Sequence, residues 1–216
     1  MKKHADFKNL HSIDHPLVQH KLSQMRDEKT RTGEFRRLLK EISLLMGYEV
    51  TRNLPIKKTT VTTPMQDMQA PVLDSPVPVV IPILRAGLGM AEGLVELIPE
   101  CHIGHVGVFR DEETHRPVEY LVRLPKSHSG IYIVTDPMLA TGYSAQHVFD
   151  VLIKTGIPAS KIVFMCLVAA PEGVRVLEER HAEIPIFTAS LDDCLNENAY
   201  IMPGLGDAGD RLFGTY

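Results

Sequence analysis

Three cysteines in 216 residues are too few for a disulfide framework, and their positions exclude a metal cage. Cys101, Cys166 and Cys194 are scattered and form no CxxC pair, which suits a reducing compartment. Positive charge is not in excess either. The net charge is −4, so a broad basic surface for nucleic acid is excluded and any phosphate site must be local. No apolar run approaches the ~20 residues of a membrane-spanning helix. The opening MKKHADFKNLH is too polar for a secretory leader, and the expectation is a cytoplasmic protein. There is no internal repeat and no low-complexity block. No GxxxxGK followed by Ser or Thr occurs, which removes a Walker-type nucleotide site.

What is present is an ordinary globular balance. Hydrophobic residues make up 44% and charged residues 23%, enough apolar surface for the core of a single domain. Leu17, Val18, Lys21, Leu22 and Met25 follow one helix face, with Pro16 in its first turn. A second helix is predicted from about 33, with Phe35, Leu38, Leu39, Ile42, Leu45 and Met46 inward. Thr32 is its expected cap, and Glu34 suits its positive end. The Pro-, Thr- and Val-rich stretch 55–78 reads only as strands and loops.

Alternation follows. Strands are predicted at 77–84, 102–109, 120–124, 130–135, 161–169 and 184–189, and helices at 88–97, 144–155 and 172–181. Near-continuous apolar strands separated by helices indicate an α/β fold with a parallel sheet covered on both faces. Ligands bind such sheets at the carboxyl ends of the strands. The loops after Leu84, Phe109, Thr135 and Ala169 are therefore expected to carry the chemistry.

Those loops are unusual. RAGLGMAEG follows Leu84, RDEETHRP follows Phe109 and DPMLATGYS follows Thr135. Either arginine alone reads as a surface ion-pair partner. Together, Arg85 and Arg110 present planar forks that match phosphate or pyrophosphate oxygens. The third loop runs into a helix start, where successive N–H groups and the hydroxyls of Thr141 and Ser144 can cradle a dianionic phosphate. Asp136 stands where it can accept hydrogen bonds from sugar hydroxyls or hold a metal-bound water. The set describes a ligand with a phosphate at one end, a sugar between and a pyrophosphate at the other.

Two glycine patterns compete with this picture. GLGMAEG at 87–93 follows a strand and opens a helix, and Asp111 lies after the next strand, close to a dinucleotide-binding fingerprint. GLGDAG at 204–209 fits GxGxxG but follows no clear strand. A dinucleotide-dependent oxidoreductase is the alternative the first pattern raises. His11 and His15, four apart, raise a metal pair, against which Pro16 counts.

The segments PILRAGLGM, FRDEET, DPMLATG, LVAAPEG and LNENAYIMPGLGDAGDRLFGT closely resemble the uracil phosphoribosyltransferase family, over about 79–216. HPLVQHKLSQMRDEKT at 15–30 resembles the family's N-terminal part. The resemblance implies a single type I phosphoribosyltransferase domain over 1–216. Within it would be a helical part at about 15–50, a β-arm at about 110–125 and a small uracil-binding hood at about 190–216. It implies transfer of ribose 5-phosphate from phosphoribosyl pyrophosphate (PRPP) to uracil, giving UMP and diphosphate, with Mg2+ reaching the site mainly through PRPP.

Carried onto this chain, Asp136, Pro137, Met138, Leu139, Ala140, Thr141, Gly142, Tyr143 and Ser144 would bind the phosphate and ribose. Arg85 and Arg110 would hold the pyrophosphate. Ile201, Gly206, Asp207 and Ala208 would hold uracil, and Asp207 would also serve the PRPP–magnesium side; Arg85, Arg110 and Asp207 are the expected catalytic residues. Homodimers or larger homo-oligomers are expected, GTP is a candidate effector, and nucleic acid and membrane are not expected partners. Purine enzymes of the fold place an acid where Pro137 and Ala140 stand here, so these two mark a pyrimidine acceptor. Tyr143 replaces the family's usual glycine. A tyrosine disfavours positive φ, so ordinary helix-start geometry is expected there, with the ring turned away from the phosphate.

Overall fold

The computed structural model describes residues 2–4, 6–110, 117–126 and 130–215. The chain opens with β1 (Lys2–Lys3) and β2 (Leu10–Ser12), then two helices, α1 (Pro16–Arg26) and α2 (Thr32–Val50). An antiparallel hairpin follows, β3 (Ile56–Thr62) and β4 (Asp67–Leu73). Next come β5 (Val79–Leu84), α3 (Gly87–Leu97), β6 (His102–Ile103), β7 (His105–Arg110) and β8 (Pro117–Arg123). The second half holds β9 (Tyr132–Thr135), β10 (Met138–Leu139), α4 (Tyr143–Lys154), β11 (Ile162–Ala169), α5 (Pro171–His181) and β12 (Ile186–Leu191). It closes with β13 (Cys194–Leu195), β14 (Ile201–Met202) and α6 (Ala208–Phe213).

The central sheet runs β1-β2-β12-β11-β9-β5-β7-β8. From β2 to β7 every neighbour is parallel; the two flanking pairs, β1 with β2 and β7 with β8, are antiparallel. Pleating sends alternate side chains of each strand to opposite faces. Ile133, Met165, Leu167, Phe187 and Ala189 join Phe35, Leu38, Ile42, Met90 and Leu212 in one buried cluster, under α1, α2, α3 and α6. Val134, Phe164, Cys166 and Ile186 join Val148, Phe149, Leu152, Val174 and Leu177 in the other, under α4 and α5. This is the predicted α/β fold, with helices on both faces.

Local sequence explains the helices, with some differences from expectation. Pro16 takes the first turn of α1, and His15 caps it by accepting the Leu17 N–H on Nδ1 at 3.2 Å. That capping role is a simpler use for His15 than pairing with His11. The face of α1 that faces the core is Val18, Leu22 and Met25; Leu17 is 53% exposed, one residue off the stripe. Helix α2 begins at Thr32 itself, so Arg31 and not Thr32 occupies the capping position. Gly104 interrupts the strand expected over 102–109, giving β6 and β7.

Two elements were not expected as such. The sheet does not end at β12: β2 adds to it in parallel, Leu10 opposite Ile186. Within 55–78 lies the β3–β4 hairpin, whose register runs from Ile56 opposite Leu73 to Thr62 opposite Asp67. Its side chains lie on the surface, including Ile56, Met65, Met68 and Leu73. Residues 111–116 of the β-arm expected at about 110–125, Asp111 among them, lie outside the described residues. The two strands that frame them, β7 and β8, pair as an arm at the sheet edge.

Candidate active site

Because β5, β7, β9 and β11 run in one direction, Leu84, Arg110, Thr135 and Ala169 all end on the same edge of the sheet. Past that edge lies a pocket of about 390 Å³. Arg85, Ala86, Met138 and Ala140 form one wall; Tyr200, Ile201 and Gly206 to Gly209 form the other. Segments far apart in sequence thus meet in one cavity. Arg85 follows a cis Leu84–Arg85 peptide, and its guanidinium lies over the Phe213 ring, 5.4 Å from the centroid. Arg110 is the last residue of β7, opposite Pro117.

A smaller cavity of about 80 Å³ adjoins it, lined by Asp136, Met138, Leu139, Ala140, Thr141, Gly142 and Ser144. Gly142 makes this loop possible. Its φ is +83°, in the left-handed region where L side chains are strained, and an added Cβ would stand 2.8 Å from the Gly173 carbonyl oxygen. Tyr143 then begins α4 and its ring is half exposed. Pro137 and Tyr143 do not line the cavity. Pro137 instead accepts the Leu167 and Val168 N–H groups at 3.1 and 3.0 Å, stitching the loop to β11.

The electrostatics of the loop centre on Asp136. Its carboxyl keeps a narrow opening to solvent but is surrounded by protein, and burial pushes it up to about 7. The Met138 N–H, 3.3 Å from Oδ1, pulls the other way, and the Asp207 carboxylate adds a further rise. Asp207 is exposed in the pocket and caps α6, accepting the Asp210 N–H on Oδ1 at 2.9 Å. Asp207 shares the lining of the larger pocket with Arg85. Among the described residues no three His, Cys, Asp or Glu side chains converge as a metal cage.

Sequence reasoning missed Asn198, Ala199 and Tyr200 as pocket residues. They form the turn between β13 and β14, pinned by Asn196, whose Oδ1 accepts the Asn198 and Tyr200 N–H groups at 3.0 and 2.9 Å. The run LNENA carried the turn signal, since asparagine readily closes such turns on its own side chain. The GLGMAEG pattern, in contrast, has a packing explanation. Helix α3 already begins at Gly87, so Gly89 is helical and not part of a phosphate loop. An added Cβ on Gly87 would stand 2.3 Å from the Thr135 carbonyl oxygen, so this glycine lets α3 pass close to β9.

Comparison with known proteins identifies the family. Residues 12–215 match the family model described as uracil phosphoribosyltransferase. The chain is 59% identical over 215 residues to the uracil phosphoribosyltransferase of Ralstonia pickettii, covering all of this chain and 99% of that protein. It is 56% identical to that of Burkholderia vietnamiensis, with the same coverage. Among solved structures, the AQ2163 protein from Aquifex aeolicus superposes with a TM-score of 0.88 at 34% identity, over 95% of this chain and 98% of that one. The Trypanosoma brucei adenine phosphoribosyl transferase shares the fold, with a TM-score of 0.58 at 12% identity over 96% and 92%. With a family match across nearly its whole length and close relatives of equal length, the chain belongs to the uracil phosphoribosyltransferase family.

Proposed function

We propose that this protein is an enzyme that transfers the 5-phosphoribosyl group of PRPP to uracil, releasing diphosphate and forming UMP. The observation that carries the reading is the single pocket in which Arg85, the loop through Met138 and Ala140, and the Ile201 and Gly206–Ala208 segment meet. The small cavity from Asp136 to Ser144 takes the 5-phosphate, with the Thr141 and Ser144 hydroxyls and the start of α4 as donors. Asp136, at the sheet edge, accepts the ribose hydroxyls. Arg85 and Arg110 hold the pyrophosphate. Backbone groups at Ile201 and Gly206–Ala208 read the uracil edge.

In the reaction the bond from ribose C1 to the pyrophosphate oxygen breaks, the uracil N1–C1 bond forms and the N1 proton is released. Positive charge builds on the ribose ring and negative charge on the leaving group. Arg85 and Arg110 stabilise the second, and the fixed cavity and base segment align the two reacting atoms. Mg2+ carried by PRPP would neutralise pyrophosphate charge, and the exposed Asp207 carboxylate in the pocket would face it. Backbone amides that bound uracil covers would discriminate against cytosine by being left unpaired, which costs up to about 10⁴-fold.

The same reading includes an assembly of copies. The β3–β4 hairpin carries exposed Ile56, Val61, Met68 and Leu73, and a two-stranded hairpin is marginally stable alone. A second subunit is the natural cover. GTP belongs to the reading as an effector to be added in the assay. Three free cysteines accord with a cytoplasmic setting, and no helix among the described residues is long and apolar enough to cross a membrane.

The test is formation of UMP from labelled uracil and PRPP with Mg2+, with cytosine and NAD(P) as controls. Product from uracil alone is expected. No product, or nicotinamide-nucleotide binding, overturns the reading.

A further inference from the structure

The segment that lines the base side of the pocket is held from behind by charge. Arg26, the last residue of α1, forms a two-pronged pair with Asp192, Nη1 to Oδ2 at 2.7 Å and Nη2 to Oδ1 at 2.6 Å. The same Nη1 donates to the Gly204 carbonyl at 2.6 Å, and the Gly204 N–H donates to Asp192 Oδ2 at 2.9 Å. Both backbone groups of Gly204 are therefore fixed by one ion pair, in a residue at φ +61°. Ser190 Oγ completes the set by donating to Asp192 Oδ1 at 2.7 Å. Asp192 is buried at 6% exposure. Burial alone pushes its carboxyl up, yet Arg26, Ser190 and the Gly204 N–H together hold it below the ordinary value.

The next carbonyl is held as well. Arg211 Nη1 donates to Leu205 O at 2.8 Å, and its Nη2 donates to Asp27 O at 2.7 Å, one residue past Arg26. Arg211 also lies over Phe35, 4.6 Å from the ring centroid. Two guanidiniums thus fix successive carbonyls, at 204 and 205, and neither residue lines the cavity. Only after them does the chain reach Gly206, Asp207 and Ala208 on the cavity wall. None of Arg26, Asp192 or Ser190 lines the pocket.

We infer that Arg26 and Asp192 are positioning residues for the base site: their pair locks the Gly204 peptide, so that Gly206–Ala208 meet the base in one fixed orientation. The inference deepens the proposed function and rests on its assignment of Gly206–Ala208 to uracil. A buried, charge-assisted pair of this kind enforces geometry, because removing one partner strands the other.

The test is steady-state kinetics of Asp192→Asn and Arg26→Lys in the full-length protein, with uracil and PRPP varied separately. Asp192→Asn is expected to raise KM for uracil by about tenfold, as loss of charged hydrogen bonds does. KM for PRPP should stay within about twofold, and preference for uracil over cytosine should fall. Arg26→Lys, which keeps the charge but loses the fork, should move the same parameters less. It carries the test if Asp192→Asn fails to fold by circular dichroism. A lower melting temperature with an unchanged uracil KM, or equal rises in both KM values, overturns the positioning role. Backbone amide spectra of the wild type with UMP separate the two readings. If the Gly206–Ala208 amides do not respond to UMP, the base-site assignment falls and the inference with it. If they respond but the variants keep wild-type uracil kinetics, the positioning role alone falls.

Discussion

The guanidinium of Arg85 lies over the ring of Phe213, so the residue after β5 is steadied by the helix that follows Asp207. An arginine stacked on an aromatic ring keeps its fork free for an anion while losing rotamer freedom. Phe213→Ala is expected to weaken diphosphate and PRPP binding by about threefold, the scale of an exposed cation–π contact. Arg85→Ala should lower kcat/KM by about a hundredfold or more, the scale of a lost transition-state donor. Titration of diphosphate by calorimetry checks the first, and UMP formation the second.

Asp136 sets a pH dependence in two directions. Its folded value, raised to about 7, lies above the unfolded carboxylate value of 3.8, so the folded state binds a proton that the unfolded state has lost. Stability from this group is therefore greatest below pH 4 and falls as pH rises through about 7. In the proposed role Asp136 binds the ribose as the ionised acceptor, so activity should rise over the upper part of that range. Asp136→Asn is expected to raise the melting temperature above pH 7 by about 5 °C while lowering kcat/KM and flattening this limb of its pH profile. A wild-type limb that persists in the variant would assign the titration to PRPP.

Gly142 and Tyr143 are adjacent but should behave oppositely. Gly142→Ala places a side chain at φ +83° and against the Gly173 carbonyl, at a cost of about 1–3 kcal/mol and with weaker PRPP binding. Tyr143→Gly should leave PRPP affinity nearly unchanged, because the ring is turned to solvent and off the cavity wall. Thermal unfolding and PRPP titration of both variants check the contrast.

Arg110→Ala should lower turnover far more than stability, given its place at the end of β7 beside the other strand-end loops. Near wild-type turnover in that variant removes Arg110 from the pyrophosphate role.

The sheet was legible because its strands are buried on both faces and read as apolar runs. The strand ends were legible because charged residues directly after such runs are conspicuous. Three features were not. The β3–β4 hairpin buries no face within this chain, so IKKTTVT and DMQAPVL carry no alternation to read. The three residues of β2 are too few for any pattern. The pairing of Arg26 with Asp192 spans 166 positions, and nothing local marks either residue as the other's partner. GLGMAEG raised its alternative for the reverse reason: glycines that admit a close helix–strand approach look the same in sequence as glycines that admit a phosphate.

The parallel pairing of Leu10 with Ile186 also bears on how the molecule is made. β2 and α1 are synthesised well before β12, the strand that pairs with β2. Until then the apolar side chains of α1 have no completed floor, and closing so large a loop is entropically slow. Arg26 waits in the same way for Asp192 and Gly204. The Gly204 peptide is therefore fixed only after Asp192 has been made, and chains still lacking β12 expose a sheet edge to aggregation.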